Sequence, residues 1–122
     1  MQIQLDTGEH LIHINKYENN TLVINNTEYR TPVVVTGNKI YSDWLPHSLK
    51  EITEQTMQRI ISLEPEIILL GCESVQINAP LAMQKYFAHH QRVIDVMSTA
   101  AACRTFTILA SEKRNLAALL YP

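Results

Sequence analysis

The residues best suited to chemistry lie in one short stretch, where Cys103 and Arg104 follow Thr99 by about one helical turn. A helix N-terminus lowers the pKa of a nearby thiol and attracts anions, because its first backbone N–H groups have no partner within the helix. These three residues are therefore a candidate contact site for an anion or a protein partner. The alternative is structural: Cys103 would be a small buried side chain, and Arg104 a surface or ion-paired residue.

A second group, Gly71-Cys72-Glu73, follows the apolar run 67–70. Such a run predicts a strand that is covered on both faces, and ligands of open α/β sheets bind at the carboxyl ends of strands. Because 97–99 ends another predicted strand, we expect both segments to share one crevice. Its candidate residues are Gly71, Cys72, Glu73, Thr99, Cys103 and Arg104. Whether the two cysteines approach each other stays open, but a cytosolic chain of this size indicates reduced thiols.

Other chemistries lack their motifs in this sequence. With glycine only at Gly8, Gly37 and Gly71, the chain can form neither a dinucleotide fingerprint nor a P-loop. It also lacks an HExxH motif and a nucleophile elbow. His10 and His13 would point to opposite sides of a strand, so they are poorly placed to hold one metal ion. We therefore predict no cofactor, no metal site and no assigned catalytic residue, and lean against enzyme activity.

Two patterns divide the chain into a β-rich first part and a second part in which helices and strands alternate. Alternating or β-branched residues predict strands at 10–15, 21–24, 27–30, 33–36 and 40–44. Asn25-Asn26 indicates a tight hairpin turn between two of them, since asparagine tolerates the positive φ that such turns require.

In the second part, the predicted helices and strands are helices 49–64, 78–88 and 98–110 and strands 67–70, 93–97 and 116–121. Ser48 with Glu51 forms a capping-box pattern that would start the first helix. Asn78 would cap the second helix, with Pro80 in its first turn. For 116–121, a helix would fit the alanines equally well.

The third predicted helix, which Ser98 or Thr99 would cap, has two different faces. At 3.6 residues per turn, its core face would hold Ala101, Ala102, Thr105, Ile108 and Leu109. Small side chains, which let another backbone or a flat ligand come close, make up the opposite face: Ala100, Cys103 and Thr107.

The order of elements predicts the fold class. Strand–helix–strand–helix–strand favours parallel pairing through right-handed crossovers, and the β-rich part adds antiparallel strands or a second sheet. The 122 residues fit one domain, 1–122. We therefore predict a single α/β domain with a mixed sheet.

The stretch from Val93 to Leu120 resembles the signature of a family that includes mitochondrial complex I assembly factor 3, the adipogenesis-associated domain proteins of animals and many short prokaryotic proteins of unknown function. Matching positions are Met97, Thr99, Ala101-Ala102-Cys103-Arg104-Thr105, Leu109, Glu112 and Arg114. The strand that ends at Gly71 is a second matching block. The resemblance implies a three-layer β/β/α fold and no established enzyme activity. For the mitochondrial relative it implies assembly of a respiratory complex through protein contacts.

Three positions depart from the family pattern. Cys72-Glu73 stands where a Thr-Gly pair is frequent, Thr107 where asparagine is common, and Lys113 in place of a glycine. These changes weaken the case for a ligand site built on a flexible backbone at those loops.

Two further features have both a structural and an interaction interpretation. Glu112 and Arg114 are expected to form an ion pair within one turn, which would contribute little stability if exposed. Trp44 is either a core residue or an exposed anchor for a partner.

Charge and hydropathy restrict the partners. A net charge of −2 without a basic run gives no support for nucleic acid binding. No apolar stretch approaches the roughly 18 residues of a membrane span, and the first ten residues resemble neither a signal peptide nor a transit peptide. We therefore predict a cytoplasmic protein and favour a prokaryotic source.

Two functional hypotheses follow. The first is a non-enzymatic interaction or complex-assembly module with a protein partner, and with homo-oligomerisation as an alternative. The second is a small-molecule or anion-binding protein, or an unassigned enzyme, with its site near Cys103 and Arg104.

Overall fold

The computed structural model describes residues 11–73 and 79–122. Within these residues, the strands are β1 Ile14–Glu18, β2 Thr21–Ile24, β3 Thr27–Tyr29, β4 Val33–Thr36, β5 Ile40–Tyr41, β6 Ile67–Gly71, β7 Ile94–Met97 and β8 Leu116–Leu120. The helices are α1 Glu54–Ser62, α2 Leu81–His89 and α3 Thr99–Ser111.

The strands form two sheets. One is an antiparallel sheet in the order β1-β2-β3, and the other has five strands in the order β5-β4-β8-β6-β7. In the larger sheet β6 runs parallel to β7 and β8, whereas β4 runs antiparallel to β8 and β5. The predicted α/β fold with a mixed sheet is confirmed.

The five-stranded sheet is the middle of three layers. Helices α1 and α2 cover one of its faces, where Ile60, Phe87 and Leu119 are buried together. Helix α3 and the small sheet cover the other face, where Leu22, Phe106 and Leu120 are buried together. The two crossovers that follow β6 and β7 therefore lie on opposite faces of the sheet.

The predicted hairpin between β2 and β3 is confirmed. Asn25 and Asn26 form its two-residue turn with φ of 49° and 66°, the left-handed conformation that such a turn requires. Asn25 Oδ1 also accepts the His13 N–H at 2.8 Å, and Asn15 Oδ1 accepts the Asn26 N–H at 2.8 Å. The turn is thus bonded both to β1 and to the residue that precedes it.

The first helix begins later than predicted. Leu49–Glu51 is a 3₁₀ turn, and the Ser48 side chain makes no capping bond. Helix α1 begins only after Thr53, whose Oγ1 accepts the Thr56 N–H at 3.2 Å. The capping-box prediction at Ser48 was wrong because Ile52 adopts an extended backbone (ψ 136°), which ends the turn and leaves the capping role to the next hydroxyl.

Three other boundaries differ in part or cannot be compared. Strand β1 begins at Ile14 and extends to Glu18, later than the predicted 10–15, because it pairs with β2 from Ile14↔Ile24 onward. The predicted strand 40–44 is shorter, ending at Tyr41. His10 and the Asn78 cap lie outside the described residues.

The predicted core face of helix α3 is confirmed only in part. Ala102 is buried as predicted and Leu109 packs against the same core, but Ile108 is 58% exposed, and Cys103 and Phe106 are buried as well. The reason is that α3 contacts β6 and β8 on one side and β1 on the other. On the predicted face of small residues, Cys103 is therefore covered by the small sheet, whereas Thr107 is exposed. For 116–121, where the sequence left strand and helix open, the structure has a strand. This strand, β8, lies between β4 and β6, and all its side chains are buried.

The three helices end alike although glycine is rare in this chain. The residue after each C-cap has positive φ: 53° at Glu64, 62° at Gln91 and 61° at Lys113. At the end of α3, the Lys113 N–H donates to Ala110 O at 2.9 Å and the Arg114 N–H donates to Leu109 O at 3.1 Å. This is the Schellman pattern, in which glycine is the usual residue because it has no Cβ to clash.

Candidate functional site

The fold brings the two predicted segments together at one edge of the sheet. Strands β6 and β7 are parallel neighbours, and the helices that follow them lie on opposite faces. The crevice outside the carboxyl ends of such a strand pair is where open α/β sheets bind ligands. Gly71-Cys72-Glu73 and Ser98-Thr99 occupy this position.

Gly71 allows α3 to begin directly against β6. A Cβ at this position would lie 2.7 Å from Ala102 Cβ and 3.1 Å from Thr99 Cα. The second contact is with backbone, which cannot rotate away. Any larger residue would therefore push the start of α3 off the sheet.

The start of α3 is capped by side chains of this chain. Glu73 Oε2 accepts the Thr99 N–H at 3.1 Å, and Ser98 Oγ accepts the Ala101 N–H at 3.1 Å. An anion at a helix N-terminus is stabilised by the same N–H groups. The Glu73 carboxylate thus already takes the place that we considered for an external anion.

Thr99 joins the site to the last strand. It is fully buried, and its hydroxyl donates to Tyr121 O at 2.6 Å. The Tyr121 N–H donates to Gly71 O at 2.9 Å, and its phenol donates to Pro46 O at 3.0 Å. Burial, and to a lesser degree the nearby Cys72, raises the pKa of the Tyr121 phenol well above its ordinary value. This phenol therefore remains a donor at all ordinary pH values.

Cys103 is buried beside the site as a neutral thiol. Burial raises its pKa to about 11, Glu73 adds to the rise, and Arg104 opposes it. Of the two interpretations of Cys103, this burial agrees with the structural one, because it outweighs the lowering of the pKa by a helix N-terminus. Arg104 itself is exposed.

Tyr17 of β1 is a member of the site that sequence reasoning missed. Burial and then the charge of Glu73 raise the pKa of its phenol, while a hydrogen bond with Thr99 acts in the opposite direction and Cys103 adds to the rise. Its hydroxyl therefore lies beside the side chains of Glu73 and Thr99. Nothing in the local sequence connects a residue of the first strand with the third helix.

Cys72 is buried at the end of β6, where its N–H donates to Met97 O at 3.1 Å. No disulfide joins Cys72 to Cys103. Among the described residues, no group of three His, Cys, Asp or Glu side chains is arranged to hold a metal ion.

Trp44 and Arg114, which each had two interpretations in the sequence, both contact other parts of the chain. Trp44 is half-buried, stacks on Tyr41 with ring centroids 4.0 Å apart, and packs against the core that contains α1. Arg114 pairs with Glu66 at 3.3 Å. The predicted pairing of Arg114 with Glu112 was wrong, because the turn carries Arg114 toward the start of β6.

The three-layer fold and the capped carboxyl edge place this chain in a class of small mixed α/β proteins. A protein of Xanthomonas campestris whose structure was determined by NMR has a TM-score of 0.84 and 21% sequence identity, over 99% of this chain and 92% of its own. The chain belongs to the family described as "Protein of unknown function (DUF498/DUF598)", whose model matches residues 14–121. The resemblance seen in the sequence is confirmed.

Two relatives match nearly the whole chain. The "13 kDa major membrane protein" of Francisella tularensis subsp. holarctica (strain LVS) is 25% identical over 122 residues, which is 98% of each chain. "NADH dehydrogenase [ubiquinone] 1 alpha subcomplex assembly factor 3" of Xenopus tropicalis is 28% identical over 123 residues, 99% of this chain and 66% of that protein. Within the described residues, no helix combines the length and apolar character needed to cross a bilayer.

Proposed function

We propose that this chain is a non-catalytic protein-interaction module that takes part in assembling a larger protein complex. Its similarity to a complex I assembly factor along 99% of the chain supports this proposal. The partner would be a protein whose identity neither the fold nor the site specifies.

The observation that carries the proposal is that polar groups at the carboxyl edge already bond to one another. Glu73 accepts the Thr99 N–H, and the Thr99 hydroxyl donates to Tyr121 O. The buried Cys103 thiol, with a pKa of about 11, is protonated near neutral pH. Acid–base and nucleophilic catalysis need groups that are free to exchange a proton or to attack a substrate. These groups instead stabilise the start of α3, as a rigid binding scaffold requires.

Native mass spectrometry of the protein purified gently from its own host tests the proposal. We expect a stoichiometric complex with another protein, and we expect that cells without this chain accumulate the partner's complex in an incomplete form. A chain that is isolated only as a monomer, in cells whose complexes all assemble normally, would overturn the proposal.

A second candidate function is binding of a small molecule at the same edge. The specific observation in its favour is that Tyr17 of β1 and Glu73 after β6 lie close to Thr99 and Cys103 of α3, beside the exposed Arg104. In this case native mass spectrometry would show a retained small-molecule mass. Substitution of Arg104→Ala should remove that mass, whereas Arg30→Ala in the segment after β3 should not.

Cytoplasmic location and homo-oligomerisation stay predictions, and each has a direct test. Fractionation of host cells should leave the chain in the soluble fraction, even though one relative is named a membrane protein. Sedimentation of the pure chain at several concentrations reports self-association independently of any partner.

A further inference from the structure

Strand β7 is an edge strand of the five-stranded sheet, and among the described residues it pairs with β6 alone. The Cys72 N–H donates to Met97 O at 3.1 Å, so Met97 turns its backbone groups toward β6, and by alternation so does Asp95. Ile94 and Val96 therefore turn N–H and C=O toward the outer edge. Such an edge is a template for one more strand.

A groove of about 240 Å³ runs beside this edge, between β7 and α2. Its mainly apolar lining comes from Ala79, Gln84 and Ala88 on one side and from Ile94 and Val96 on the other. A strand added to β7 would turn every second side chain into this groove, because side chains alternate between the faces of a sheet.

Arg92 lines the same groove and is held by the end of α2. Its backbone N–H donates to Phe87 O at 2.8 Å, and its Nη1 donates to His90 O at 3.3 Å. Its Nε is buried without an acceptor among the described residues. A guanidinium that is partly removed from water favours a carboxylate, which it can bind through two parallel hydrogen bonds.

A second copy of this chain that pairs through its own β7 does not supply that carboxylate. Residues opposite each other in antiparallel strands lie on the same face of the sheet. A copy paired through its own β7 would turn Arg92, Ile94 and Val96 toward the groove, whereas Asp95 would point to the other face. Arg92 would then meet an apolar residue or another arginine, so charge complementarity favours a different chain.

We propose that the outer edge of β7 binds an extended segment of a partner protein as an added strand, with apolar side chains in the groove and an acidic side chain at Arg92. This inference rests on the proposed interaction function and specifies the chemistry of the partner. It is an instance of strand addition, in which backbone bonds give affinity and side-chain pockets give specificity.

Synthetic peptides test the inference directly. The probes are ten-residue peptides with blocked ends, in which valine and threonine alternate. One peptide carries a glutamate near its N-terminus and another carries it near its C-terminus, so that both strand directions are tested. Matched probes carry glutamine or lysine in place of glutamate. The full chain is compared with its Arg92→Gln and Arg92→Glu variants, and with Arg30→Gln as a control at an exposed arginine of the segment after β3.

We expect the glutamate peptide to bind the unaltered chain about tenfold more tightly than the glutamine peptide, as a charge-assisted hydrogen bond implies. Arg92→Gln should abolish this preference, Arg92→Glu should transfer it to the lysine peptide, and Arg30→Gln should leave it unchanged. Hydrogen exchange should show new protection of the Ile94 and Val96 amides, since those of Asp95 and Met97 already face β6.

Three outcomes would overturn the inference: no peptide binds, glutamate and glutamine peptides bind equally, or self-association at high concentration protects the same amides. A Val96→Pro variant, which removes an outward N–H and no bond to β6, separates this result from the broader proposal. If native complexes survive both Val96→Pro and Arg92→Gln, the interaction function stands and the β7 edge is rejected. If the peptides bind as expected but no native partner is found, the edge stands and the assembly function is rejected.

Discussion

The backbone N–H of Thr99 donates to Glu73 Oε2 at 3.1 Å, which links the residue after β6 to the first turn of α3. The two residues are 26 positions apart in the chain. Glu73 therefore acts as a helix cap supplied from another element, and it determines how α3 leaves the carboxyl edge of the sheet.

Substitution of Glu73→Gln should lower the free energy of unfolding by about 0.5–1 kcal/mol, because a neutral amide interacts less favourably with the positive end of the helix. Urea denaturation at neutral pH measures the change, and part of it should disappear at high salt. Glu28→Gln is the matched control, since Glu28 forms an exposed pair with Arg30. Equal stabilities of the two variants would contradict the capping role.

Substitution of Gly71→Ala should destabilise the chain by about 1–3 kcal/mol, the usual effect of adding a methyl group to a packed site. The added Cβ meets both Ala102 and the backbone of Thr99. Combining Gly71→Ala with Ala102→Gly should cost less than the sum of the two single changes, because one of the two clashes is removed. Gly37→Ala is the control, since within 11–73 and 79–122 no heavy atom beyond its chain neighbours lies within 4 Å of its added Cβ. Thermal unfolding of the four variants decides the matter.

The Cys103 thiol should make stability fall at alkaline pH. Its pKa is about 11 in the folded chain, above the ordinary value of about 8.5 for an unfolded cysteine, so the folded state retains the proton longer. The contribution of this thiol to the free energy of unfolding is therefore fully present below about pH 8.5 and is lost as the pH rises through 11. The free energy of unfolding, measured from pH 8 to 11, should decline less steeply in Cys103→Ala. Part of the decline remains, because Tyr17 and Tyr121 also have raised pKa values in the folded chain and ionise earlier when it unfolds.

Reaction with a thiol reagent gives an independent check on the same residue. Because only the thiolate reacts and Cys103 is buried, its labelling at pH 8 should be far slower in the folded chain than in urea. Single Cys72→Ala and Cys103→Ala variants assign the signal to one cysteine. Rapid labelling of Cys103 in the folded chain would favour the small-molecule or enzymatic alternative.

Substitution of Lys113→Gly should raise stability by about 0.5–1 kcal/mol, because the position has a left-handed φ of 61° that glycine adopts without strain. Lys85→Gly in the middle of α2 is the matched control and should lower stability by about 1 kcal/mol. Chemical denaturation of both variants would reveal the opposite signs. A loss of stability in Lys113→Gly would show that the lysine side chain contributes more than the strain removes.

The sequence predicted those elements whose signals are local. The β-branched run 33–36, the apolar run 67–70 and the turn at Asn25-Asn26 each form what their own residues favour. The carboxyl edge of the sheet was also predictable, because the carboxyl ends of parallel strands meet regardless of side-chain packing. The sequence therefore predicted that Gly71, Glu73 and Thr99 lie close together.

The remaining errors come from contacts between distant parts of the chain. The small sheet lies over α3 and buries Cys103, the structural alternative that the sequence had left open, whereas periodicity alone placed the exposed Ile108 in the core. Tyr17 reaches the site through the same packing of the small sheet against α3. Arg114 pairs with Glu66 instead of Glu112, because the turn after α3 leads the chain toward the start of β6.

The left-handed residues after all three helices have a practical consequence. Glu64, Gln91 and Lys113 lie at the ends of different helices, so the gains from replacing each with glycine should add. A triple variant would serve as a robust host chain in which damaging substitutions at the β7 edge or at the carboxyl edge could be studied without unfolding. Loss of a partner could then be separated from loss of the fold, and the chain would tolerate a broader mutational scan.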